Sequence, residues 1–442
     1  MSRVLPNKFM AKSSQLGVES FKQVTTERVE LQSVNGSSTV YDPRNGLSKI
    51  TFKLPAYSAS FMDTSRSFLS FNLKTNATSG IDTNPLKLST GLNIFNRYTI
   101  KSANGVILED VSSFDVLNKL FTVCRSDSDH AIDEGVYKDS DCPVSVASKL
   151  SQSGIDYNFK FSSGILSKHL QSYLPLFMMD SSAYAFEIDL YMSNPLDVLR
   201  SIHSSADAIN PSFALSNVVY NLCLLRMDNE LASKFNKTAL DTNDEILIPY
   251  TTYHVNQSSA TNQNSTFSIF ENCTNFKRIW SVFVKPYGSL DDSTVMPFSS
   301  SIDDADPENR IQSYNYRLGT KSLYNSPIEE TTNNNKTLQY VKDSLWAGDK
   351  ELMISKPVND TETKNNFQNN MFFTTAQFTY SEAELKGVTE GISSATPVMM
   401  DVKFQGTPSS LTCINFAEVG YNLCIKNGSL TYQEMGGSQS VY

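Results

Sequence analysis

Histidine is scarce in this chain: His130, His169, His203 and His254 are the only four among 442 residues. None stands in HxH, HxxxH or HExxH spacing, so no single helix or strand presents the ligand pair of a zinc or iron centre. The GxSxG elbow, the P-loop and GxGxxG are absent as well, which removes the local signatures of serine hydrolases, nucleotide hydrolases and dinucleotide enzymes. Six cysteines (Cys124, Cys142, Cys223, Cys273, Cys413, Cys424) include no CxxC pair. Three of them, Cys223, Cys413 and Cys424, fall inside apolar runs where a thiol behaves as a small hydrophobe, so reduced thiols and an intracellular assembly site are expected. No stretch of about 18 apolar residues is available for a membrane helix, and Met1 to Lys8 lacks the apolar core of a signal peptide. Without a secretion signal, the sequons at Asn35, Asn76, Asn236, Asn256, Asn264, Asn272, Asn335, Asn359 and Asn427 read as an Asn/Ser/Thr-rich surface.

Charge is sparse too: 19% of residues are charged and the net is −9, so no overall basic field recruits nucleic acid. Residues 1–60 depart from this, with eight basic and four acidic side chains, leaving −13 for the remainder. The acids gather in two places, Asp127, Asp129, Asp133, Glu134, Asp139 and Asp141, and then Asp303, Asp304 and Asp306. The first group fails the EF-hand register because Lys138 occupies the place of the bidentate Glu. Both groups read as solvated loops, with opportunistic Ca²⁺ at subunit contacts as the other reading. Sequence spacing selects no glycosidase-like carboxylate pair. No catalytic, cofactor-binding or metal-binding residue is nominated, and a structural role is expected rather than an enzyme.

What the chain does have is aromatic mass, with 26 Phe and 20 Tyr, in short alternating runs. Tyr157, Phe159 and Phe161 alternate, as do Tyr184, Phe186, Ile188 and Leu190. The second half repeats the pattern with Val398, Met400, Val402 and Phe404, followed by Leu411 to Phe416 and Tyr421 to Ile425. Period-two alternation without a helical partner layer predicts sandwiches. At 442 residues the chain exceeds the ~250–300 at which one core stops growing, so two domains are expected.

The expected division is an arm over 1–45, a first jelly roll over 46–205 and a second over 206–442, joined near Asn194 to Pro211. Further strands are expected at Ile50 to Leu54, Leu69 to Leu73, Phe213 to Leu225, Glu245 to Val255, Asn275 to Val284 and Arg310 to Leu318. Asn104-Gly105 and Asn427-Gly428 each predict a type I′ hairpin. Phe114, Leu117, Leu120 and Phe121 predict a short helix, Met227 to Phe235 has helical character, and Leu338, Val341 and Leu345 predict another helix beside Trp346. Residues 124–156 read as a long inserted loop. Tyr250, Tyr253, Tyr314 and Tyr316 read as core packing rather than a stacking surface for sugars or bases.

Several ordered segments resemble double jelly-roll major capsid proteins of the adenovirus and PRD1 lineage, especially those of Polinton-like viruses and virophages. They are Leu92 to Gly105 followed by Ile107 to Asp110, Ser163 to Leu166 with Tyr173 to Leu176, Phe213 to Val218, and Ile311 to Lys321 with Tyr324 and Pro327-Ile328. The resemblance spans about residues 45–430. It implies an all-β chain of two tandem eight-stranded antiparallel jelly rolls with short helices in the connecting loops. It also implies homotrimers of hexagonal outline that tile an icosahedral virion shell, without a cofactor. The partners it implies are neighbouring capsomers, penton or minor capsid proteins, and genome or an internal membrane at the 1–45 arm. A carbohydrate-binding or adhesin sandwich is the alternative on the same composition.

Overall fold

The computed structural model describes residues 25–77, 86–88, 92–124, 144–168, 170, 173–179, 184–201, 210–228, 233, 246–269, 276–284, 307–330, 336–341, 372–377, 397–408, 411–426 and 429–434. The first half contains β1 (Thr25–Gln32), β2 (Lys49–Leu54), β3 (Ser60–Met62), β4 (Phe68–Asn76), β5 (Leu86–Leu88), β6 (Phe95–Ser102), β7 (Ile107–Ser112), helices α1 (Phe114–Cys124) and α2 (Val144–Gln152), β8 (Ile155–Phe159), β9 (Leu174–Pro175), β10 (Phe186–Met192), α3 (Pro195–Val198), β11 (Leu199–Ser201) and β12 (Ser212–Arg226). The second half contains β13 (Ile246–Ala260), β14 (Asn264–Ile269), β15 (Phe276–Val284), β16 (Ile311–Leu318), β17 (Lys321–Ser322), β18 (Ile328–Glu329), β19 (Phe373–Gln377), β20 (Val398–Phe404), β21 (Leu411–Lys426) and β22 (Ser429–Glu434).

All these strands pair antiparallel and, apart from the separate two-stranded β11-β5 sheet, they build two sandwiches with one core pairing scheme. In the first, β8-β4-β12 carries β1 on the far side of β12 and faces β2-β10-β6-β7. In the second, β19-β15-β21-β13 faces β14-β20-β16, with β18 on β16 as β7 is on β6. The chain alternates between sheets at each long connection, which is the wrapping of a jelly roll. Aromatic contacts bridge the facing sheets: Phe71 to Phe95 at 6.3 Å and Phe52 to Tyr220 at 6.0 Å in the first, Phe267 to Phe283 at 6.2 Å and Phe283 to Phe404 at 6.0 Å in the second. Such pairs reward sandwich closure beyond their buried area. The fold expected from alternation and from the resemblance, two antiparallel jelly rolls, is the one observed.

The shared scheme corrects the division read from sequence. β12, placed in the second unit by the 206–442 boundary, pairs with β1, β3 and β4, and it corresponds to β21. The first roll therefore runs through Arg226, and the crossover from Asn194 to Pro211 is internal to it. Asn194 caps α3 by accepting from the Leu196 N–H at 3.2 Å, while Arg44 donates to the Pro211 carbonyl at 3.1 Å. A Ser- and Pro-containing crossover has a linker's composition, and only the strand pairing distinguishes the two. The 1–45 arm is corrected likewise, because β1 is the structural counterpart of β13 and belongs to the roll.

Smaller expectations resolve in the same way. Helix α1 forms where the 3–4 spacing of Phe114, Leu117, Leu120 and Phe121 predicts it. The 124–156 loop contains α2 and the start of β8, and its residues 125–143 lie outside the described residues. β6 and β7 form the expected hairpin, but Asn104 is not among the described residues with positive φ, whereas Gly105 has φ +80° and donates to the Ser102 carbonyl at 2.9 Å. The turn is thus a three-residue loop closed by a left-handed glycine rather than type I′. At the second hairpin Lys426 pairs with Ser429, fixing a two-residue loop whose own residues lie outside the described set. Most of Met227 to Phe235, with Leu345 and Trp346, lies outside as well. A short helix over 336–341 carries buried Leu338 and Val341.

Superposing the two pairing schemes shows a duplicated polar triad. Thr51 stands opposite Asp189 and Lys101 opposite Glu187; Thr266 stands opposite Asp401 and Arg317 opposite Met399. Each aspartate accepts a 2.7 Å bond from its threonine, and the cation two residues along the ladder pairs with it, Lys101 Nζ at 2.7 Å in the first roll and the Arg317 guanidinium in the second. Lys49 adds a third donor to Asp189 at 2.9 Å. Burial pushes the Asp189 carboxyl up, but the bonds from Lys101, Lys49 and Thr51 outweigh it and hold the group below its ordinary value of 3.8. A depressed folded-state value adds stability above pH 3.8 that is lost as pH falls through the lowered value. Asp189→Asn should therefore destabilise the protein at pH 7 by about 2 kcal/mol, since it removes the buried charge that two partly exposed lysines share. In urea unfolding that gap should close as the pH drops below 3.8.

Candidate functional site

The two rolls meet at a face and an edge of the second. Helix α1 of the first roll packs on the outer side of the β19-β15-β21-β13 sheet, with Phe121 against Tyr253 and Trp280, while β7 meets the edge strand β13 at Tyr250 and Thr252, which pair with Tyr421 and Val419 on the other side. Alternation along β15 makes this visible: Trp280 points out to Phe121 of α1 at 6.2 Å between ring centroids, while Ser281 points in and accepts from the Tyr316 hydroxyl at 2.8 Å. Because both faces are covered, every residue from Phe276 to Phe283 is buried, with only Val284 half-buried. The corresponding strand β4 alternates between buried and half-buried, the pattern of a sheet with one open face.

Glu109 lies at the centre of this junction, 4% exposed. It accepts from the Tyr98 hydroxyl at 2.8 Å and the Thr252 hydroxyl at 2.7 Å on Oε1, and from the Ile165 N–H at 3.0 Å on Oε2. Thr252 belongs to the second roll and the other two donors to the first, so one carboxylate ties both. Around it the Tyr250 hydroxyl donates to the Leu108 carbonyl at 3.0 Å, the Gly164 N–H donates to the Thr251 carbonyl at 2.8 Å, and the Gln257 amide donates to the Ser113 hydroxyl. Gly164 has φ +82°, and a Cβ there would fall inside the Glu109 carboxylate, so both conformation and space demand glycine. Burial raises the Glu109 carboxyl above its ordinary 4.5, and the donors Thr252, Ile165 and Tyr98 draw it only part of the way back. Burial, and then the nearby Glu109 charge, raise the Tyr98 and Tyr250 hydroxyls far above the usual tyrosine range.

On the outer side of the sheet a buried ion pair stiffens the covered face: Arg278 Nε lies 2.6 Å from Glu418 Oε2, and the guanidinium sits 5.5 Å from the Trp280 ring. An open cleft of about 200 Å³ flanks the junction, lined by Ile107, Asp110, His254, Tyr421 and Tyr432 among others. His254 Nε2 is 3.2 Å from the Tyr421 hydroxyl, and Asp110 is held by Arg97 in a bidentate pair at 2.8 and 2.6 Å. This arrangement fastens strands and offers no nucleophile paired with a base.

The sequence nominates no residue of this junction. Glu109 falls inside a resembling segment and Tyr250 among the core aromatics, and a lone Glu in a strand gives no hint of three donors from distant segments. Tyr250, Tyr253, Tyr314 and Tyr316 are buried, as their alternation predicts. Cys223, Cys413 and Cys424 are buried and form no disulfide with one another. His130, His169, His203 and both acidic clusters lie outside the described residues. Among the described residues no three His, Cys, Asp or Glu side chains gather as a metal site.

A raised carboxyl adds stability in its protonated form, fully below pH 4.5, and that contribution is lost as pH rises through the raised folded value. Glu109→Ala leaves three buried donors without their acceptor. It should cost on the order of 3 kcal/mol in chemical denaturation at pH 7. Gly164→Ala should cost at least as much through strain and collision, and combining the two should cost less than their sum because the carboxylate that a Cβ strikes has gone.

No protein-family model matches the chain, and no curated protein matches it. Solved structures do. The chain is similar to the PBCV-1 virus capsid protein, at 11% identity and TM-score 0.58, over 93% of this chain and 98% of that one. It is similar to the Faustovirus major capsid protein, at 10% identity and TM-score 0.55, over 91% of each chain. It is also similar to a chain of the Sputnik virophage particle, at 10% identity and TM-score 0.55, over 94% of this chain and 89% of that one. At such identities the likeness concerns the fold, and over nine-tenths of its length this chain has the double jelly roll found in viral major capsid proteins.

Proposed function

We propose that the protein is a major capsid protein whose homotrimers tile an icosahedral virion shell. One observation carries the reading: two rolls that share one core strand-pairing scheme are fastened together in one chain by a buried junction, over nearly the full length of a capsid-protein fold. A chain holding two copies of one unit gives a threefold oligomer six similar lobes, and closed symmetry then builds a hexagonal tile from a single gene product. The fastening chemistry at Glu109, aimed at rigidity, supports a building block rather than a catalyst. A permanent trimer of this kind is expected to bury more than about 2,000 Å² in total.

The sequence resemblance to proteins of Polinton-like viruses and virophages supports a particle of that group. Neighbouring capsomers and penton or minor capsid proteins are the further partners. Residues 1–24 carry four basic side chains against one acid, a balance that suits an N-terminal arm facing genome or an internal membrane on the inner side of the shell.

Light scattering on the purified chain should give three chain masses, and negative-stain images should show hexagonal rings of one size. Globular monomers, or a stable dimer, would refute the proposal.

A further inference from the structure

The β7-α1 strip of the first roll meets the second roll along its whole length. Its Leu108 carbonyl accepts from Tyr250, Glu109 from Thr252 and Ser113 from Gln257, and Phe121 packs on Tyr253 and Trp280. Ser113, the link between strand and helix, has φ +49°, a left-handed conformation that serine adopts only at a cost. The strip is therefore held by its side-chain contacts against the preference of its own backbone.

Two buried acids flank that link, Glu109 at 4% and Asp115 at 8% exposure. Taking a carboxylate out of water raises its proton affinity unless a cation or enough fixed donors replace the lost hydration. Around Glu109 the titratable groups are Tyr98 of β6, Tyr250 of β13, and His254, Tyr421 and Tyr432 along the neighbouring cleft. Asp110 on β7 itself adds a like charge and is paired with Arg97. Among the described residues no cation pairs with Glu109. Asp115 faces Lys119, one turn along α1, and Asp197 of α3; it accepts from the Val116 N–H at 2.9 Å, while Lys119 Nζ donates to the Asp197 carbonyl at 2.9 Å. Burial outweighs the attraction of Lys119, and the Asp115 carboxyl is pushed up from 3.8 to about 6.

The partners of Glu109 show how a proton is accommodated. The Ile165 N–H is a fixed donor to Oε2, but the two groups on Oε1 are hydroxyls, which accept as well as donate. Beside Tyr98 lies the Ser163 hydroxyl, 6% exposed and without a hydrogen-bond partner while Tyr98 donates to Glu109. A proton on Oε1 reverses that link: Glu109 donates to the Tyr98 oxygen, and the Tyr98 hydroxyl turns to donate to Ser163. The protonated chain thus satisfies a buried group that the ionised one leaves unmet.

We infer that the β7-α1 strip is a proton-controlled fastening between the rolls, tight in mild acid with Glu109 and Asp115 protonated and looser at neutral pH and above. It concerns the single chain and stands whatever the oligomeric state. A carboxyl that holds its proton more tightly when folded contributes fully below its ordinary value, 3.8 for Asp115, and that contribution is lost as pH rises through about 6. Glu109 acts in the same direction from 4.5 upwards.

Hydrogen–deuterium exchange of the full chain at pH 5 and pH 8, corrected for the intrinsic rate at each pH, tests this by mass spectrometry. Protection over 107–124 and 250–257 should fall about tenfold from pH 5 to pH 8, the factor set by one carboxyl titrating near 6. Protection over 49–54 and 186–192 should stay constant, because Asp189 is held below 3.8 and remains ionised throughout. Combining Glu109→Gln with Asp115→Asn should remove most of the difference between the two pH values. Ser163→Ala touches neither acid, yet it should move the midpoint of the change to lower pH, which a merely structural serine would not do. Equal protection at both pH values in the unsubstituted chain, or greater protection at pH 8, overturns the inference. So does a double variant that keeps the original pH profile; if that variant does not fold, an unmoved midpoint in Ser163→Ala overturns it instead.

Discussion

A β-sheet has two faces, and a sandwich covers only one face of each sheet. The rest of this structure follows from how the second face is treated. In the second roll it is buried beneath helix α1 of the first, so β15 reads as an unbroken buried strand, with an ion pair and a tryptophan on its outer side. Burying a charged pair is tolerable only where geometry and further bonds compensate for lost hydration, and the Arg278–Glu418 contact at 2.6 Å beneath Trp280 meets that condition. Glu109 is a harder case, because no cation pairs with it among the described residues; two hydroxyls and one backbone N–H hold it instead. The arrangement fixes the angle between rolls, since hydrogen bonds have direction where apolar contact does not.

Duplication and divergence can be separated. Strand pairing, the Thr–Asp–cation triad and the inward tyrosine at Tyr98 and Tyr314 are common to both rolls. These serve the roll itself: they set register on the outer side of one sheet and close the end of the sandwich. The differences lie where the rolls have different neighbours. The Tyr98 hydroxyl bonds to Glu109 at the junction, while that of Tyr314 bonds to Thr337 within its own roll at 3.0 Å. A unit that must meet different surroundings on its two copies retains its core and changes its rim.

Much of the fold is legible in the sequence because alternation is a direct imprint of a half-buried sheet. Ile50, Phe52 and Leu54, or Val398, Met400, Val402 and Phe404, declare their buried faces without any knowledge of contacts. The α1 helix is legible for the same reason at another period. The boundary between rolls depends on a different kind of information. Residues 202–211 are polar in the way a linker is polar, and nothing local distinguishes a connection between domains from a connection between sheets of one domain. β1 leaves a faint trace because an edge strand with exposed side chains carries little alternation, and the turn at Gly105 differs from type I′ because φ at Asn104 follows from the strands' register as well as from the dipeptide.

The class is written locally along the chain: short alternating strands in two comparable sets, too little histidine and no local motif for chemistry, and enough aromatic mass to fill two cores. Composition and period decide which faces are apolar, and those are local properties. Which strands pair, where one roll ends, and which carboxylate binds the rolls together were decided only in three dimensions. Those depend on contacts between residues as far apart as Glu109 and Thr252, whose partnership has no imprint on the residues beside either of them.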